Sequence, residues 1–127
     1  MGNIYKNWTP IDNIPQRLYC EGIHDDYEGF RVLLRENDKT PILRIMFDFV
    51  RVYRKLDESD LLRTVASIKI QKKTPLFIVD NSSLVEWFNE ESYGIYKDKD
   101  IKHFAIYTSN DCIDILSEFE PKVEWLR

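Results

Sequence analysis

Cysteine, glycine and histidine are all scarce in this chain of 127 residues, which has two Cys, four Gly and two His. Cys20 and Cys112 lie far apart, and a pair of thiols is too few for the dense bridging of a small secreted disulfide scaffold. Gly2, Gly22, Gly29 and Gly94 are scattered, which excludes a glycine-rich phosphate cradle, a dinucleotide fingerprint and a nucleophile elbow. Five prolines and no Gly/Ser tract exclude collagen-like and low-complexity architectures. Long apolar runs are missing too. Leu76 to Val79 is far short of the roughly 20 residues that cross a bilayer. Met1 to Pro15 lacks a basic start followed by an apolar stretch, so the expected location is the cytoplasm, with reduced thiols. The 22 acidic and 18 basic residues leave a formal charge of −4. That balance gives no electrostatic reason to expect a nucleic acid or an anionic membrane as partner.

What the chain does have is apolar and aromatic bulk: 43% hydrophobic residues, with seven Phe, seven Tyr and three Trp, enough for a core without metal or disulfide staples. No repeat or linker divides it, so residues 1–127 read as a single domain, with 1–15 as an irregular arm pinned by Trp8 and Ile11.

Alternation from Gln16 and again over Phe30 to Arg35, across polar His24-Asp25-Asp26, predicts a hairpin. Glu36 to Pro41 is a second turn. Ile42 to Tyr53 is β-rich with a slip at Asp48 to Val50, read as a bulge, which makes a three-stranded meander. Asp57 to Asp60 carries helix-start signals ahead of Leu61, Leu62 and Val65. Lys69 to Thr74 reads as loop and Leu76 to Val79 as a buried strand. Ser83 and Glu86 have capping-box spacing for a helix that Tyr93-Gly94 stops. Ile101 to Thr108 is a strand with Ile101, His103, Ala105 and Tyr107 on one side. Cys112 to Leu116 is either a strand or the start of a helix, with Ile113 and Ile115 favouring the strand. The expected fold is α+β: a mostly antiparallel β-sheet of about five to six strands with two short helices packed on it.

Few constellations could carry chemistry. Cys20 and His24, with Asp26 or His103, have zinc-ligand types but no spacing that fixes a site. His24-Asp25-Asp26 shares only a dipeptide with metal-dependent phosphohydrolases, whose ligands stand on helices. Cys112, His103 and Asp114 could be imagined as nucleophile, base and orienter, yet no cation flanks the thiol to lower its pKa. Asp25/Asp26, Asp57/Glu58, Glu90/Glu91 and Asp98/Asp100 are carboxylate pairs, mostly in turns or at helix ends. Arg51, Tyr53, Arg54 and Lys55, and Lys69, Lys72 and Lys73, are short basic patches flanked by acids. No metal, cofactor or catalytic residue is expected.

Tyr27-Glu28-Gly29-Phe30-Arg31, Leu43 to Asp48, Leu62-Arg63-Thr64, Glu86-Trp87-Phe88 and the block Ile101 to Leu116, including His103 to Thr108 and Asn110 to Asp114, form an arrangement over roughly residues 18 to 125. It resembles small bacterial immunity proteins encoded beside polymorphic toxins of the contact-dependent inhibition or type VI secretion type. The resemblance implies a protein that binds the C-terminal domain of a cognate toxin, often a nuclease, and covers its active site or substrate surface. It implies no catalytic residues and does not locate the interface. Independently of it, Asp25, Asp26, Tyr27 and Glu28, and Tyr96, Asp98 and Asp100, are candidate partner contacts, because each group joins acidity and an aromatic to a predicted turn. The alternatives are a small enzyme or ligand-binding domain with a cleft near His103, Tyr107 and Asp114, and an accessory subunit of a larger assembly.

Overall fold

A computed structural model describes residues 2–69 and 72–126. Nine strands run in the order β1 (Ile4–Asn7), β2 (Tyr19–Asp26), β3 (Gly29–Arg35), β4 (Ile42–Phe47), β5 (Val52–Asp57), β6 (Leu76–Asp80), β7 (Lys102–Tyr107), β8 (Asp111–Ser117) and β9 (Lys122–Leu126). A 3-10 turn over Glu58–Leu61 leads into α1 (Leu62–Ile68), and α2 (Ser83–Glu91) joins β6 to β7. The strands form two antiparallel sheets, ordered β1-β6-β7-β8-β5 and β2-β3-β4-β9. The α+β class, the antiparallel pairing and the two short helices are as the sequence predicts, but the single sheet of about five to six strands is corrected to nine strands in two sheets.

The period-two pattern decides the packing. On β7 and β8, Phe104, Ile106, Ile113 and Ile115 turn inward against Phe30, Val32, Leu34, Leu43, Ile45 and Phe47 of the other sheet, and all are buried. Ring contacts between Phe47 and Phe104 (5.3 Å, edge-to-face) and between Phe30 and Tyr53 (4.8 Å, tilted) join the two layers. On the outer face of the five-stranded sheet, Phe77, Val79, Ala105, Tyr107 and Cys112 are covered by Leu61, Val65 and Ile68 of the α1 region.

Several local expectations are corrected. Residues 1–15 are not wholly irregular, because Ile4–Asn7 pairs with Phe77–Asp80 as an edge strand. Trp8 and Ile11 do pack on the core, with Trp8 5.1 Å from Phe104. The slip after Phe47 is a crossover: β4 pairs with β3 in one sheet and β5 with β8 in the other. His24-Asp25-Asp26 is strand, and the reversal sits at Tyr27-Glu28, where Gly29 has φ +111°. The loop expected over Lys69 to Thr74 lies partly outside the described residues. The cap of α2 is Ser82, not Ser83: its Oγ accepts from Val85 N (3.1 Å), and Asn81 at φ +52° swings it into place. Tyr93 and Gly94 stop the helix with positive φ, Gly94 N donating to Asn89 O (2.8 Å). Residues 118–126 cross over to form β9 on β4, with Trp125 Nε1 donating to Asp12 O (3.1 Å).

Candidate functional site: a buried polar cluster and an exposed rim

His103 and Tyr107 share the outer face of β7, and the register that pairs Ala105 with Asp114 sets the carboxylate between them. The three side chains named together from sequence meet. Asp114 Oδ1 lies 2.7 Å from His103 Nε2 and accepts from Tyr107 Oη at 3.0 Å. Arg54 Nε, from the neighbouring β5, donates to Asp114 Oδ2 at 2.9 Å. Ser82 Oγ lies 2.7 Å from His103 Nδ1. A carboxylate only accepts, so the ring nitrogen facing Asp114, Nε2, carries a proton, while Ser82 Oγ accepts from Val85 N and is hydrogen-bonded to Nδ1.

Burial alone would raise the Asp114 carboxyl, but the His103 hydrogen bond and charge, then those of Arg54, hold it below the ordinary carboxylate range. Burial first, then the Asp114 charge, pushes the Tyr107 phenol well above its usual value. Cys112, on the same face, is pushed up to about 11 by burial first and the Asp114 charge second. Both ring nitrogens of His103 are engaged by Ser82 and Asp114, so no relay to Cys112 forms. The side chains of His103 and Asp114 are fully buried, and only Arg54 and Ser82 reach the surface. Chemically the cluster fastens the start of α2 to β7, β8 and β5. Ser82 and Arg54 were not legible as members, being 21 and 60 residues from their partners. The only signal for Ser82 was a small polar residue at a helix start.

The other candidates lie at the end of the sandwich where the chain crosses between sheets. Tyr27 at the β2–β3 tip is 95% exposed. Asp26 is committed internally, accepting from Glu28 N and Arg31 Nη1 (both 2.9 Å), and the Arg31 hydrogen bond is the main reason its carboxyl lies below the usual range. Tyr96 stacks on Phe88 (5.6 Å) and lies under the Arg51 guanidinium, whose carbon is 4.3 Å from the Tyr96 ring centroid and 4.5 Å from that of Phe49. Arg51 also pairs with Glu118, so one cation clasps the 48–51, 94–100 and 118–121 connections. Asp100 pairs with Lys102 (3.1 Å). Asp25, Glu28, Asp48, Asp98 and Glu120 have no ion-pair partner among the described residues. Phe49 and Phe119, not singled out from sequence, stand 48% and 52% exposed beside them.

Among the described residues, no three His, Cys, Asp or Glu side chains are grouped to hold a metal ion. The His24 ring folds over Gly22, and Cys20 and Cys112 are free thiols. No described helix is long and apolar enough to cross a membrane. Comparison with family models, curated proteins and solved structures returns no match.

Proposed function

We propose that this chain is a protein-binding immunity protein that acts in the cytoplasm, neutralising the C-terminal domain of a cognate bacterial toxin by covering its active site or substrate surface. The observation that carries the reading is the end of the sandwich bearing Tyr27, Phe49 and Phe119. These exposed aromatics are set among Asp25, Glu28, Asp48, Asp98 and Glu120, carboxylates with no ion-pair partner among the described residues. Exposed aromatics supply anchors of low entropic cost to a partner, and surrounding carboxylates speed encounter with a basic groove such as that of a nuclease. The loops carrying this rim are fixed by strand pairing and by Arg51, so little order has to be imposed on binding. The test is co-expression with the toxin domain encoded beside the gene, together with a pulldown. Rescue of growth and a stable complex are expected; a toxin domain that neither binds nor spares the cell removes the reading.

A second reading, a small enzyme or ligand-binding domain, is favoured by the hydrogen-bonded line Ser82–His103–Asp114 and the adjoining Tyr107. It needs Ser82 Oγ to be free for a substrate, whereas that oxygen caps α2, accepting from Val85 N. Labelling of wild type but not Ser82→Ala by a fluorophosphonate supports this second reading; no labelling supports the first.

A further inference from the structure

The four edge strands of the two sheets, β1, β5, β2 and β9, are not equivalent. β1 has only four residues, β2 is broken by a bulge between Cys20 and Gly22, and on β9 Trp125 Nε1 is bonded to Asp12 O. β5 pairs with β8 over six residues in unbroken register. Antiparallel pairs exchange main-chain bonds at every second residue, and the bond from Glu58 N to Asn110 O sets the phase of this ladder. Val52, Arg54 and Leu56 therefore bond to β8, while Tyr53 and Lys55 turn their N–H and C=O groups outward. Those outward groups have no partner among the described residues. Beside this edge a groove of about 510 Å³ separates β5 from α2. Arg54 reaches Asp114 on the outer face of the sheet, so Val52 and Arg54 present their side chains to the groove. Val52, Leu84 and Trp87 make it apolar, and Trp87 is 50% exposed. The Arg54 side chain is 45% exposed and bonds through Nε alone, so its terminal nitrogens have no partner among the described residues.

We infer that β5 takes up an extended segment of the partner as a sixth strand of its sheet, with an apolar side chain in the groove and a carboxylate on Arg54. The inference rests on the binding reading above and names how the partner is held. Every strand pair in the fold is antiparallel, and the added strand follows suit. Its residues opposite Tyr53 and Lys55 complete the open main-chain bonds, and those opposite Val52 and Arg54 turn their side chains toward α2. The side chain opposite Val52 lies against Leu84 and Trp87. The one opposite Arg54 meets the unused guanidinium nitrogens. Charge selects the occupant. Arg54 and Lys55 make this edge basic, and their own acids, Asp114 and Asp111, stand behind them on β8. A second copy of β5 laid here would set cation against cation, whereas a strand carrying an acid is matched. β5 begins three residues after Phe49 of the aromatic rim, so one partner can cover both.

Two measurements test this. In the first, an acetylated and amidated pentapeptide, threonine–glutamate–threonine–phenylalanine–threonine, is titrated into the isotope-labelled full chain. Localised shifts at the Tyr53 and Lys55 amides and the Trp87 indole are expected. N-methylation of the central threonine removes a main-chain donor and keeps every side chain, so it should weaken binding at least about tenfold. Lysine in place of the glutamate should weaken it by about as much. No localised shift, or shifts unchanged by N-methylation, overturns the added strand. In the second, the toxin domain is bound to wild type, to Lys55→Pro and to Trp87→Ala, with each fold checked by circular dichroism. The proline deletes an outward N–H and no bond within the fold, and the alanine opens the groove wall. Binding about tenfold weaker in either folded variant, mostly through faster release, supports the added strand. Equal binding by both overturns it while leaving the immunity reading intact. Self-association of the chain that Lys55→Pro abolishes puts a second copy on the edge and overturns it too. Wild type that fails to bind the toxin removes the immunity reading instead, and the peptide titration then decides the edge by itself.

Discussion

Two polar regions of this molecule stand in opposite states. On the outer face of the five-stranded sheet, Asp114 is enclosed and accepts from His103, Tyr107 and Arg54. At the crossing end of the sandwich, Asp25, Asp48 and Glu120 face solvent beside exposed rings and have no ion-pair partner among the described residues. Carboxylates occur in both places, so residue type does not separate the two regions. Satisfaction does. A buried acid with both oxygens hydrogen-bonded resists change and serves the fold, whereas an exposed acid beside an apolar ring has interactions left to offer a partner.

That contrast can be broken in a definite order. Asp114→Ala should cost most, about 3 kcal/mol, because His103 and Tyr107 are left with donors they cannot rehydrate, while Arg54 can turn partly to water. Urea unfolding of the variant checks this, and a loss below about 1 kcal/mol would mean the cluster is not a structural fastening. The same carboxylate sets an acid limb. Its folded pKa lies below the unfolded value of about 3.9, so its stabilisation is fully present above that pH and is lost as pH falls through the folded value. The urea midpoint of wild type should therefore fall on acidification below about pH 4 more steeply than that of Asp114→Asn.

Arg51→Ala should come next, at about 1–2 kcal/mol, since it removes the cation between Phe49 and Tyr96 as well as the Glu118 pair. It should also weaken toxin binding by loosening the rim. Ser82→Ala should cost about 1 kcal/mol, the ordinary value of a lost helix cap plus its His103 contact. Tyr27→Ala should leave unfolding within about 0.5 kcal/mol yet weaken toxin-domain binding by about tenfold or more. A Tyr27 variant that unfolds early but binds normally would reverse the roles assigned to the two regions.

How far the sequence carried the reading follows from where each signal lives. Alternation made β3 and β7 legible and placed His103 and Tyr107 on one face, whereas β8 reads as strand or helix start from pattern alone, with β-branched Ile113 and Ile115 favouring the strand that the pairing with β7 shows. The hairpin through Ser109 to Asp111 then brought Asp114 across from Ala105. The short edge strand Ile4–Asn7 has no alternation to read, since its existence depends on pairing with Phe77–Asp80, about 70 positions away. The break after Phe47 was visible as a slip, but local pattern cannot tell a bulge from a change of sheet. Ser82 and Ser83 are the same residue one step apart, and only the left-handed Asn81 decides which one caps. At the rim, acidity and turn propensity pointed to both loops. That Tyr96 and Asp100 are internally engaged while Phe49 and Phe119 are exposed depends on Arg51 and Lys102, which arrive from other parts of the chain.

The C-terminal strand β9 lies on β4, with Leu126 opposite Ile42. That pairing closes a loop of about 80 residues, whose entropic cost is met only once the intervening strands have collapsed. Non-local pairing of this kind slows folding, so β9 should be the last strand to dock. During synthesis, β4 must therefore wait with an open edge until Lys122–Leu126 has left the ribosome, exposed meanwhile to pairing with other strands.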